Sequence, residues 1–162
     1  MSLKIISHRG NVEGSDRVEN TWAAISNALS LGFDVELDVW LVDGKFRLGH
    51  DEPGDEVDGE WLKDGRLWCH AKNMEALVEM LKCGIHCFWH EEDRCTLTSR
   101  GLIWCYPGVW VADGITVAKG TPEDEGWGGA AGVCTDHPLS WRRWHLERVE
   151  NIESNLRVDI GA

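Results

Sequence analysis

The feature that most constrains this chain is a recurrence. Short apolar runs with strand character are separated by helical or loop stretches, and most of them end in imidazole, carboxylate or amine. Leu3–Ser7 runs into His8-Arg9-Gly10, and Lys45–Leu48 into Gly49-His50-Asp51. Leu67–Lys72 closes on His70-Ala71-Lys72, Ile85–Trp89 on His90-Glu91-Glu92-Asp93, and Ala131–Cys134 on Thr135-Asp136. Leu102–Cys105 and Ile115–Ala118 are further strand-like pieces. Connections of a dozen residues or more suit crossovers between parallel strands. Polar residues gathered at successive strand ends mark the edge where parallel α/β sheets bind ligands.

The second strand, Phe33–Leu41, sharpens the point. Val35, Leu37 and Val39 lie on one side and Glu36, Asp38 and Trp40 on the other, because strand side chains alternate. Parallel strands are normally covered on both faces. Two carboxylates on one face therefore either meet water or face something that wants negative charge. Asp43-Gly44 is a turn that folds Lys45–Leu48 back onto this strand.

Three helices are expected. Thr21–Leu31 carries Trp22, Ile25, Ala28 and Leu29 at helical spacing and stops at Gly32. Met74–Cys83 presents Leu77, Val78 and Leu81 and stops at Gly84. Pro138 opens a helix over Leu139–Ser154, with Trp141, Trp144, Val149 and Ile152 as its buried positions. Asp51–Arg66 and Thr121–Gly129 read as loops. Asn20 or Thr21 suits the cap of the first helix, and Asp136 the cap of the last.

Composition narrows the function. A chain of 162 residues with 43% hydrophobic content reads as one domain spanning residues 1–162. The net charge of −12 argues against nucleic acid. It also makes an anionic substrate awkward unless a local cation reverses the field. No apolar run reaches the roughly 18 residues of a membrane span, and the first residues lack a leader's apolar stretch, so the reading places the protein in the cytoplasm. The six cysteines read as free thiols, mostly buried. A zinc cluster of Cys83, Cys87, His86 and His90 is the weaker alternative, since its spacing matches no familiar site. The ten tryptophans read chiefly as packing.

Five blocks carry a family resemblance. "SHRG", "ENT" at Glu19–Thr21, "VELDV" at Val35–Val39, "GHD" at Gly49–Asp51 and "GVCTDHP" at Gly132–Pro138 resemble, in order, those of glycerophosphodiester phosphodiesterases. The resemblance runs from Ile5 to Pro138 and is dense in the first third. It implies a TIM (β/α) barrel, a divalent cation and metal-dependent cleavage of a small glycerophosphodiester to glycerol phosphate and an alcohol. By position it makes His8 and His50 the acid–base pair, Arg9 a phosphate ligand, and Glu19, Glu36 and Asp38 the metal ligands. Lys72 matches the lysine at the end of the third strand.

The chemistry of these side chains is compatible with those roles. Carboxylate oxygens suit Mg²⁺ or Ca²⁺. Imidazoles titrate near neutrality, so one can take a proton while the other gives one. A guanidinium matches phosphate oxygens.

Two departures stand out. Where the family has a glutamate two positions before the lysine, this chain has His70, here assigned to substrate binding, with metal ligation as the alternative. The length is well short of the roughly 250 residues usual for the barrel, so the expected fold is a compact, shortened barrel with several helices reduced to loops. Two other functions remain open: a non-catalytic barrel that binds phosphate esters, and a phosphodiesterase resembling phosphoinositide lyases.

Overall fold

The computed structural model describes residues 3–15 and 17–159. It is a mixed α/β fold built on one ten-stranded sheet. In chain order the elements are β1 (Lys4–His8), α1 (Trp22–Ser30), β2 (Asp34–Val42), β3 (Lys45–Leu48), β4 (Glu56–Val57), β5 (Leu67–Ala71), α2 (Met74–Lys82), β6 (Cys87–Phe88), β7 (Cys95–Leu97), β8 (Ile103–Cys105), β9 (Gly114–Val117), α3 (Pro122–Glu125), β10 (Gly132–Thr135) and α4 (Pro138–Asp159). Every strand expected from the sequence has a counterpart. The short pieces β4, β7 and α3 fall in stretches read as connections.

The parallel part of the sheet runs β6–β5–β2–β1–β10–β9–β8. β3 pairs antiparallel with the far end of β2, through a turn in which Asp43 and Gly44 both have positive φ. β4 extends that hairpin, and β7 lies antiparallel on β8.

The strand pairing does not close, so the described residues do not form the closed, shortened barrel expected. β6 has two residues, too few to carry a ladder onward, and an antiparallel strand borders β8. The sheet nonetheless curls until its ends meet. Phe88 of β6 stacks on Trp104 of β8 with centroids 4.5 Å apart, and Ser99 N–H donates to the Cys87 carbonyl at 2.7 Å.

Alternation along the strands sorts the core into two faces. Val35, Leu37, Val39, Leu67, Cys69 and Cys87 pack with Ile25, Ala28, Ala76 and Met80 from α1 and α2. On the concave face, Ile6, Trp68, Phe88, Trp104, Ile115, Val117 and Cys134 form a second cluster. Trp141 of α4 packs with Ala118 and Val133, flanked by Trp110, Trp127 and Trp144. The tryptophans there do pack, as expected.

Several helix faces differ from expectation. Trp22, Val78 and Leu81 are exposed, and α2 instead seats Ala76 and Met80. Val149 and Ile152 are also exposed, because α4 meets the body of the molecule through its first turns. Cys83 and Cys95 are exposed, whereas the other four cysteines are buried. Among the described residues no helix is long and apolar enough to cross a membrane.

Candidate functional site

The C-terminal ends of the parallel strands surround an open cleft of about 390 Å³. His8, Arg9, Glu36, His50, His70 and Lys72 all line it. Residues separated widely in sequence thus meet at one place, with Trp89, His90 and Tyr106 along one side and Lys119 beyond β9.

His8 ends β1 and is nearly buried. Its Nδ1 lies 2.8 Å from Asp136 Oδ1. An ionised carboxylate only accepts, so Nδ1 carries the proton and Nε2 faces Glu36 Oε2 at 3.8 Å. Burial alone would lower the His8 pKa, but the Asp136 hydrogen bond and the charge of Glu36 outweigh it and raise it. Burial opposes ionisation of Asp136 too, yet His8 and Asn11 hold its pKa below the usual range. Asn11 Nδ2 donates to Asp136 at 2.8 Å. Besides its place before α4, Asp136 thus has a partner 128 positions away that no local pattern could indicate.

Two glycines fix the loops beside the histidines. A Cβ on Gly10 (φ +82°) would lie 2.7 Å from the Ala24 carbonyl carbon, and one on Gly49 (φ +152°) would lie 1.9 Å from the Glu52 carbonyl oxygen. No side chain fits either place. Trp40 Nε1 donates to the Gly49 carbonyl at 2.7 Å, and this tethers the loop carrying His50. His50 itself is exposed, its Nδ1 2.6 Å from Asp51 Oδ1.

Glu36 and Asp38 project together from β2 and are buried. His70 stands beside Asp38 in the β2–β5 register. Donor atoms of Glu36, Asp38 and His70 lie within 4.8 Å of one another, the one such grouping of His, Cys, Asp and Glu among the described residues. The cysteine–histidine alternative at residues 83–90 forms no such group.

Burial, then the charge of Asp38, raises the Glu36 pKa. Asp38 goes the other way. Burial would raise its pKa, but His70, Arg9 and Lys72 hold it well below the ordinary carboxylate range. Lys72 Nζ is 3.4 Å from Asp38 Oδ1, and Arg9 Nε is 2.9 Å from Oδ2. Glu36 Oε2 is buried with no hydrogen-bond partner. A buried carboxylate oxygen without a donor, beside a second carboxylate, is the environment a cation relieves. The donor set therefore fits a divalent ion.

Glu19 stands apart from that group. Its oxygens accept from Arg9 Nη1 at 2.8 Å, Asn11 at 2.9 Å and Ser15 at 3.0 Å. Arg9 consequently spans two acids, Glu19 and Asp38, while also lining the cleft. Asn20 belongs to the same architecture. Its side chain accepts from Asp38 N–H at 2.9 Å and donates to the Asp38 carbonyl at 3.1 Å, and Thr21 is the residue that caps α1. Arg9 (φ 54°) and Asn20 (φ 56°) both hold left-handed backbone conformations, which in non-glycine residues cluster at functional sites.

No family profile, curated protein or solved structure matches this chain.

Proposed function

We propose that the cleft cleaves phosphodiesters by a cation-assisted acid–base reaction. The reading takes the fold as a pared-down relative of the glycerophosphodiester phosphodiesterase barrel. The observation that carries it is the convergence on one cleft of a carboxylate-held imidazole, a second imidazole, cationic side chains and a buried acid pair with an unsatisfied oxygen. The resembling blocks supply those same residues: His8 and Arg9, Glu36 and Asp38, His50, and Asp136.

Each side chain has a task in this reading. Glu36 and Asp38 would hold a divalent ion, whose chemistry is to offset charge on the phosphodiester and on the transition state. Lys72 and Lys119 bring positive charge to the mouth of a protein whose net charge is −12, and so favour an anionic substrate there. Arg9 offers phosphate a fork while compensating Asp38.

His50 accepts the proton of the substrate's own hydroxyl as that oxygen attacks phosphorus. His8, kept protonated by Asp136, gives its Nε2 proton to the departing alcohol oxygen as the P–O bond breaks. The products are a cyclic phosphate and an alcohol, and water then opens the ring with the two imidazoles in reversed roles.

The test is turnover of glycerophosphocholine and of a chromogenic glycerophosphodiester, with and without chelator. Cation-dependent cleavage is expected, and His8→Ala or His50→Ala should lower kcat by about 10²–10⁴-fold, the usual worth of a positioned acid or base. Phosphate-ester binding with no turnover under any divalent ion would leave a binding module instead. An inositol phosphate product from phosphoinositide would place the reaction with the lyases.

A further inference from the structure

We infer that His70 is a metal ligand through Nδ1, and that the site selects a first-row transition ion of the Co²⁺ or Zn²⁺ kind over Mg²⁺ and Ca²⁺. The inference rests on the reading of Glu36 and Asp38 as a cation site; it does not depend on the substrate.

The argument begins with the proton on the ring. His70 Nε2 lies 3.3 Å from the His90 carbonyl oxygen. A carbonyl can only accept, so Nε2 carries a hydrogen. The other ring nitrogen, Nδ1, lies 3.0 Å from Asp38 Oδ1. A proton on Nδ1 can bridge to Asp38 in the metal-free chain, and an ion bound between the two groups takes that proton's place. An imidazole whose outer N–H is held by a backbone carbonyl is the usual arrangement of a ligating histidine, because that bond fixes the tautomer and aims the inner nitrogen.

The ring is held in place as well as oriented. It stacks on Phe88 with centroids 5.1 Å apart and planes 1° from parallel, and on His90 at 4.8 Å and 9°. The nearby acids supply the other donors. Glu36 is 3% exposed, and its Oε2 has no hydrogen bond. The three donor groups lie within 4.8 Å of each other on two adjacent strands.

The donor set decides the metal class. Mg²⁺ and Ca²⁺ prefer oxygen throughout. Replacing one carboxylate by imidazole removes a hard anionic ligand and adds a borderline nitrogen, which favours Co²⁺ and Zn²⁺.

Calorimetric titration of the chelator-stripped full chain with Zn²⁺, Co²⁺, Mn²⁺, Mg²⁺ and Ca²⁺ tests this. One site should bind Zn²⁺ and Co²⁺ at least about tenfold more tightly than Mg²⁺, in line with ligand softness. Glu36→Gln should abolish that site, which separates it from adventitious binding at exposed thiols. His70→Gln should cost more than the ~10-fold that even an outer partner is worth. His70→Glu should move the preference towards Mg²⁺. On the unmodified protein, ¹⁵N spectra of the imidazoles should show Zn²⁺ shifting Nδ1 of His70 while Nε2 stays protonated.

Equal or tighter Mg²⁺ binding, or an unmoved Nδ1 resonance in the Zn²⁺-saturated protein, overturns the inference. Either result leaves the proposed activity standing if Mg²⁺ supports turnover. Tight transition-ion binding at His70 without cleavage of any diester supports the inference and removes the activity.

Discussion

At the scale of single residues, Asp136 is the most informative side chain. It touches no reacting atom in the proposed reaction, but it fixes which nitrogen of His8 faces the cleft. Asn in its place could hold Nδ1–H through its carbonyl oxygen while losing the charge that favours the imidazolium. Asp136→Asn is therefore expected to lower kcat by about 10²-fold, at the low end of what acid–base assistance is worth, with KM little changed. Its pH profile should move to lower pH, because the His8 pKa falls when the carboxylate charge is removed. A fall in KM-limited binding with an unmoved profile would reduce Asp136 to a scaffold residue. His8, Arg9, His50 and Lys72 were legible as candidate site residues because they close or follow strand-like runs, and Glu36 and Asp38 because alternation puts two carboxylates on one face of β2. The pairing of Asp136 with His8 was not, since it depends on two strands that meet only in the folded sheet. Lys119 was missed for a related reason. It follows β9 by two positions and belongs to no block of polar residues.

At the scale of elements, β2 organises the site, and two asparagines brace it. Asn20 bonds both backbone groups of Asp38, and Asn73, the cap of α2, bonds both backbone groups of Leu41 while accepting from Ala76 N–H. Each extends the ladder beyond the neighbouring strands, although the Asp38 carbonyl also accepts from Gly49 N–H at 3.3 Å. Asn20→Gly keeps the left-handed backbone accessible and deletes the side-chain bonds. It should cost about 1–3 kcal/mol, the penalty for leaving a buried backbone group, here the Asp38 N–H, without a partner. Asn20→Ala should cost more, since φ 56° strains an alanine. Urea midpoints of the two variants measure the difference, and equal losses would show that backbone strain plays no part. The positions of the helices were legible from spacing and from Gly32 and Gly84. Their buried faces were less so. Periodicity says which residues share a face, but the curl of the sheet decides which face it covers, and in α2 it covers Ala76 and Met80, leaving Val78 and Leu81 in solvent.

At the scale of the whole molecule, the parallel order was legible but its closure was not. Alternating segments announce crossovers. Whether the ends of a sheet join depends on strand length, and the two residues of β6 leave stacking of Phe88 on Trp104 to do what a ladder would. The interior also sets how the fold responds to acid. His86 is 2% exposed, and neither ring nitrogen has a hydrogen bond of good geometry. Burial and the charge of Arg100 push its pKa down to about 4. Burial and His70 do the same to His90, also to about 4. Such groups take up protons in the unfolded chain first, so stability falls as pH drops from about 6.5 towards 4. The depressed acids Asp38 and Asp136 add losses at still lower pH, as each is protonated. His8 works in the opposite sense. Its raised pKa gives stability that is complete below about 6.5 and is lost as pH rises through the folded value. His86→Phe should recover on the order of 2–3 kcal/mol at pH 4 relative to pH 7, from about 1.4 kcal/mol per pKa unit. Denaturant melts of both proteins at the two pH values give the comparison, and parallel curves would show that His86 protonates freely in the native state.

β1 joins the early part of the chain to the late part, because its neighbours are β2 on one side and β10 on the other. His8 leaves the ribosome 128 positions ahead of Asp136. At ordinary rates of synthesis that is a wait of roughly ten seconds. Throughout it the emerging chain shows a bare strand edge and an imidazole without its carboxylate. Translation must therefore run almost to α4 before the cleft exists at all.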